Sequence, residues 1–254
     1  MMAGLPIVGV GYAGLFGKVP ANGDFISRNL PTDFTDTWSQ WLQGTLAESR
    51  RYFRAAFMEQ FLSSPVWRFV LSSGTCGDGA WSGVVASSVD KVGRGFPLTT
   101  AFSSLPQVEP LTLAERWSTG FRALEDLTLA AIEPDADVDL AARALPALFE
   151  RHRLPAPGSG TGGGARAEAG YPHVWSTPEA TGDWTELARA TLGQPFSYWW
   201  HTGWGGQAPV ALLCPGMPTG AAYLAFLDGQ PGRHGWRAAR PSATATAGAP
   251  EGRP

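Results

Sequence analysis

Three short apolar runs, Val66 to Ser72, Ala80 to Ser87 and Phe96 to Phe102, follow one another with only Gly-rich connections between them. Each has the length of a strand, and the connections are too short for the crossover helix that parallel neighbours require. The segment therefore reads as an antiparallel hairpin or meander, and the rest of the chain must pack against that sheet. Glycine and proline point the same way: 32 and 21 of them in 254 residues exclude a helical bundle or coiled coil and predict many turns.

Ahead of the meander the period changes. Phe34, Trp38, Trp41, Leu42, Thr45 and Leu46 fall on one face of a helix capped by Thr32 or Asp33, and Phe53, Phe57 and Phe61 continue the stripe to Pro65. This is one kinked helix or two consecutive ones. Upstream, one strand is expected near Ile7 to Tyr12, then an irregular loop through Phe16-Gly17-Lys18 and Asn22-Gly23-Asp24. Downstream, Thr112-Leu113-Ala114-Glu115 has the form of a capping box, and Leu113, Trp117, Phe121, Leu124 and Leu127 predict a helix to about Ile132. Asp139 to Arg151 reads as a further helix that Pro146 should bend or interrupt.

Residues 155–170 are too poor in apolar side chains to repay the entropy of ordering and read as a flexible Gly-rich loop. Beyond it a helix is expected near Trp184 to Leu192, strands near Ser197 to Thr202 and Val210 to Cys214, and a short helix near Thr219 to Leu227. Residues 237–254 read as a disordered tail. The expected architecture is α/β of the α+β kind: a single domain over residues 1–236, with a mixed, mainly antiparallel central sheet and helices packed on it.

Composition removes several functions. Nineteen basic against 22 acidic residues leave no electrostatic footprint for a phosphate backbone, so nucleic acid is not an expected partner. No run approaches eighteen apolar residues, and the first fifteen lack a basic leader, so no membrane insertion and no export are expected. Cys76 and Cys214 allow one disulfide at most and form no C-x-x-C pair, which suits a reducing cytoplasm.

Motifs without their structural context carry little. Gly9-Val10-Gly11-Tyr12-Ala13-Gly14 spells the dinucleotide fingerprint, but Gly17, Pro20 and Gly23 stand where its helix should run. Gly17-Lys18 resembles a P-loop ending, yet Tyr12 replaces the first glycine and Val19 the magnesium-binding hydroxyl. His152, His173, His201 and His234 have no metal-ligand spacing, and no G-x-S-x-G elbow is present. No cofactor or metal is expected. Cys76, in a Gly-rich loop, is the residual nucleophile candidate, although a small residue in a hairpin turn is the stronger reading.

Arg68 is more informative, because it interrupts the apolar run Val66 to Leu71 and would be costly without a partner. Asp24, Asp78 and Asp90 are the candidate partners, in a cluster joining the Asn22-Gly23-Asp24 loop, Arg68 and the Asp90 to Arg94 turn. Such a cluster pins a fold more readily than it binds a ligand. Trp199-Trp200, followed by His201 and Trp204 in a Gly-rich setting, cannot all face one core, because adjacent strand positions point to opposite sides; either one of these indoles reaches a surface or helices cover both faces of the strand.

Against this background the string Gly14-Leu15-Phe16-Gly17-Lys18-Val19-Pro20-Ala21-Asn22-Gly23-Asp24-Phe25-Ile26-Ser27-Arg28-Asn29-Leu30-Pro31, with Trp38 and Trp41-Leu42-Gln43, resembles the opening of the TagF (ImpM) family of type VI secretion-associated proteins. Ser64-Pro65-Val66-Trp67-Arg68-Phe69, Cys76-Gly77, Trp81-Ser82-Gly83-Val84, Ser88-Val89-Asp90-Lys91-Val92-Gly93-Arg94 and Phe96-Pro97-Leu98-Thr99 extend the likeness. Tyr198-Trp199-Trp200 and Gly216-Met217-Pro218 are similar to its weaker C-terminal signature. The resemblance implies a cytoplasmic accessory protein that represses secretion post-translationally by binding the forkhead-associated scaffold protein of the system. It implies no catalytic set, so the chain is not expected to be an enzyme. The candidate structural or interaction cluster is Lys18, Asp24, Arg28, Arg68, Asp90 and Arg94. The alternatives are a small-molecule or phosphate-binding enzyme using the Gly-rich loops around Lys18, Cys76 and Arg94, and a structural part of the secretion baseplate.

Overall fold

Trp67, Phe69 and Leu71 point to one side of their strand and Arg68 and Val70 to the other, and all five are buried. A sheet covered on only one face would show alternation, so helices must lie on both faces. The computed structural model, which describes residues 11–103, 110–152, 174–176, 194–206 and 208–238, has this arrangement. Its strands are β1 (Ala13–Gly17), β2 (Ile26–Arg28), β3 (Trp67–Leu71), β4 (Trp81–Ala86), β5 (Leu98–Ser103), β6 (Val174–Ser176), β7 (Phe196–His201), β8 (Val210–Pro215) and β9 (Arg237–Ala238). They form one sheet in the order β2-β1-β5-β4-β3-β7-β8-β6-β9. Its pairings are antiparallel except for β6 beside β8, so the single domain has a mixed, mainly antiparallel sheet.

The helices are α1 (Thr32–Phe53), α2 (Phe57–Leu62), α3 (Pro110–Arg116), α4 (Ser118–Ala131), α5 (Val138–Arg151) and α6 (Ala221–Asp228). α1, α2 and α6 cover the face that carries Phe69, Val85 and Trp199, while α3, α4 and α5 cover the face that carries Val70, Val84 and Trp200. Both adjacent indoles are therefore buried, with both faces of the strand covered, and of the three indoles it is Trp204, 39% exposed, that reaches the surface. On α1 the stripe Phe34, Trp38, Leu42 and Leu46 faces the sheet, and Trp38 Nε1 donates to Thr99 Oγ1 at 2.8 Å. Trp41 Nε1 donates to the Pro218 carbonyl at 2.7 Å, fastening α1 to the C-terminal part. A 3-10 turn, Arg54–Ala56, separates α1 from α2.

The structure departs from the sequence expectations where packing outweighs local preference. The first described strand is β1, inside the segment expected to be a loop. Glycine is required in it: a Cβ on Gly14 would lie 1.8 Å from the Arg28 carbonyl oxygen, so β2 can approach only a bare backbone. Gly17, at φ +142°, likewise passes Pro97 with room for no side chain. The residue preceding α1's first turn is Pro31 rather than Thr32 or Asp33. The helix expected from Thr112 to Ile132 begins at Pro110 and is split at Trp117, whose ring sits among Phe102, Phe121 and Phe149. α5 runs through Pro146, because burying Val138, Ala142, Leu145, Leu148 and Phe149 outweighs one lost backbone bond. Arg237 and Ala238, at the start of the expected tail, pair with Ser176 and Trp175. The rest of that tail, the 155–170 loop, the 184–192 helix and most of the Ile7 to Tyr12 strand lie outside the described residues.

Candidate functional site: a two-loop clasp around Asp90

β1 leads into residues 18–25 and β4 into residues 87–95 at the same end of the sheet, so the two connections lie side by side. Asp90 opens the second turn and closes it locally: its Oδ1 accepts from the N–H groups of Val92 at 3.1 Å and Arg94 at 2.9 Å. The other oxygen, Oδ2, accepts from Lys18 Nζ at 2.9 Å and from Arg94 Nε at 2.6 Å. Arg94 also donates to the Gly23 carbonyl at 2.7 Å, and the Lys91 N–H donates to the Asn22 carbonyl at 2.9 Å. The Lys18 ammonium lies 5.1 Å from the centre of the Phe25 ring.

The Asp90 side chain has no solvent contact. Burial pushes its carboxyl up, but hydrogen bonds from Lys18, from the Arg94 backbone and side chain and from the Val92 N–H outweigh that and hold it well below the usual carboxylate range. Every acceptor direction of this carboxylate is spent on fastening two loops, which leaves it nothing with which to take a proton from a substrate.

The six candidate residues do not form one cluster. Lys18, Asp90 and Arg94 come together, and the 22–24 loop joins them through the Gly23 carbonyl. Asp24 itself accepts from the Phe25 N–H at 2.8 Å. Arg68 pairs with none of its expected partners: its Nε and Nη2 donate to Glu125 Oε2 of α4 at 2.9 and 2.6 Å. Asp24 is kept away by the sheet order, since β5 and β4 lie between β1 and β3 and three strand spacings amount to about 14 Å; Arg68 itself shares the Val70 side of β3, the face that α4 and its Glu125 cover. Arg28 pairs with Asp139 of α5 at 2.5 Å, lowering that carboxyl. The expected single network is thus three separate ties: one between loops, one from β3 to α4 and one from β2 to α5. Glu125 had a sequence signal, because it falls between Phe121 and Thr128 on the inward side of the α4 pattern.

Among the described residues, both cysteines and His201 are withdrawn from solvent. Cys76 and Cys214 are free and buried; burial pushes both thiols up to about 12, with the Asp33 charge adding to the effect on Cys76. Burial pulls His201 down to about 4, and its Nε2 has no partner among the described residues. Among the described residues no group of three His, Cys, Asp or Glu side chains is placed to hold a metal ion, and no helix is long and apolar enough to cross a membrane. A void of about 20 Å³ beside Trp41, Trp67 and Trp199 has room for a single water molecule. A groove of about 330 Å³ between α4 and α5 is lined largely by Ala123, Leu127, Ala144, Ala147 and Leu148.

A search of curated proteins found no match. The crystal structure of PA0076 from Pseudomonas aeruginosa PAO1 is similar to this chain, with a TM-score of 0.66 at 30% identity over 85% of this chain and 94% of that one. Residues 14–148, from the second residue of β1 into the last turn of α5, match the TagF N-terminal domain, described as type VI secretion system-associated, and all six candidate residues lie within them. The chain belongs to the TagF N-terminal domain family and is a type VI secretion system-associated protein.

Proposed function

We propose that this chain is a cytoplasmic accessory protein that represses type VI secretion post-translationally by binding the forkhead-associated scaffold protein of the system. The match of residues 14–148 to a secretion-associated family carries the reading. The chemistry of the site supports binding over turnover. The most elaborate charged group, Asp90 with Lys18 and Arg94, is internally satisfied, and both thiols are buried and protonated at neutral pH. Two free thiols also suit a reducing compartment.

The test is a pull-down of the purified scaffold by the full chain, together with secretion measured as the chain is overexpressed. Co-purification and falling secretion are expected. A chain that neither binds the scaffold nor lowers secretion would refute the proposal.

A further inference from the structure

The clasp fastens its loops securely, yet the loops present apolar side chains to solvent. Phe25 is 42% exposed and Val92, in the turn that Asp90 opens, is 71% exposed. Asn or Ser would serve such a turn without placing an isopropyl group in water. Phe25 is also held in place: its ring centre lies 4.7 Å from that of Phe96 and 5.9 Å from that of Phe16, with the Lys18 ammonium over its face. An aromatic ring fixed before binding loses little freedom when it docks, the property of an interface anchor.

Charge around these two side chains runs against that of the molecule. The chain as a whole carries a formal charge of −3. The clasp and its flank bring together Lys18, Lys91, Arg94 and Arg50, the last donating to the Gly95 carbonyl at 3.1 Å, against Asp24 and Asp90. A locally basic surface on an acidic protein selects for an acidic partner and steers its approach.

We infer that the platform made by these two loops, with Phe25 and Val92 as apolar contacts and Lys91 and Arg94 as cations, docks an acidic segment of the scaffold protein that carries an apolar side chain. This rests on the partner named under the proposed function. Asp90 is then a positioning residue, which holds the loops at the spacing the partner reads.

Calorimetric titration of the scaffold with the full chain tests it, using Val92→Asp, Lys91→Glu and, at the far end of β1, Tyr12→Ala, where the side chain is also exposed. Val92→Asp and Lys91→Glu should each weaken binding about tenfold, and the Lys91→Glu deficit should shrink at high salt. Tyr12→Ala should bind within about twofold of the unaltered chain. Because the altered side chains at 91 and 92 are exposed, melting should be unchanged, and that measurement separates lost docking from lost folding. If the unaltered chain binds and both platform variants bind as tightly as it does, the platform is refuted while the partner stands. If the unaltered chain does not bind the scaffold, both readings fall.

Discussion

Removing Glu125 should destabilise the fold more than removing its partner Arg68, and the difference follows from where each side chain lies. The Arg68 side chain is 4% exposed and stands opposite Val84 and Trp200 in the ladders of β3, whereas the Glu125 side chain is 21% exposed on α4. Glu125→Ala strands a guanidinium in apolar surroundings and should cost about 3 kcal/mol, the lower end for a broken buried pair because some water can reach it. Arg68→Met replaces the charge with an apolar chain of similar length and leaves a carboxylate that can turn toward solvent, for a cost of about 1 kcal/mol. The double variant should then match Arg68→Met, giving a coupling energy of about 3 kcal/mol. Urea denaturation at unchanged slope reads these values, and the two single variants should melt about 4–8 °C apart. An Arg68→Met variant as unstable as Glu125→Ala would show that the arginine is held by something other than this pair.

Other outcomes follow from the same geometry. Gly17→Ala should cost at least about 2 kcal/mol, because its Cβ would lie 2.1 Å from the Pro97 oxygen at φ +142°, whereas Gly23→Ala, with open space around it, should stay within about 0.5 kcal/mol. Neither Cys76 nor Cys214 should react with a thiol reagent at pH 8 until the chain is unfolded, since burial lifts both to about 12; rapid labelling of the native protein would contradict their placement. His201, held at about 4 when folded against about 6.5 unfolded, takes its proton later than the unfolded chain does, so stability should fall as pH drops through that interval. Equilibrium denaturation of His201→Leu against the parent should show a shallower fall between pH 6.5 and 4. Asp90 and Asp139 are depressed in the folded state, so their contribution is present above the usual carboxylate value and is lost on further acidification; in Asp139→Asn that acid loss should be smaller.

The parts of the fold legible in the sequence are those specified by local period. The meander of β3, β4 and β5, the stripe on α1, the β7 and β8 pair and the short α6 are each written into a few consecutive residues. β1 was not legible because its glycines read as loop signals, while their actual use is to let Arg28 and Pro97 approach the strand. The split at Trp117 was hidden for a similar reason: the ring's position among Phe102, Phe121 and Phe149 is a tertiary preference that overrides an unbroken helical pattern. Among the candidate residues, Lys18, Asp90 and Arg94 could be named from charge in a Gly-rich setting, but their grouping with Arg68 required the sheet order, which no local signal records. The trace of Glu125 as Arg68's partner is an acidic residue on the inward side of a helix, a position with none of the Gly-rich setting that marks Asp24, Asp78 and Asp90. The exposed Phe25 and Val92 carry no pattern of their own; only the surface shows that they are uncovered.

The proposal that this protein acts by occupying the forkhead-associated scaffold is tested most directly by the dependence of secretion on its dose. Secretion would be measured while the cellular ratio of the chain to the forkhead-associated scaffold is varied in both directions. Occupancy predicts that repression tracks this ratio and that additional scaffold restores secretion in proportion. Full repression by a small substoichiometric amount, undiminished by excess scaffold, would mean that the chain turns over a substrate, and the claim would be wrong.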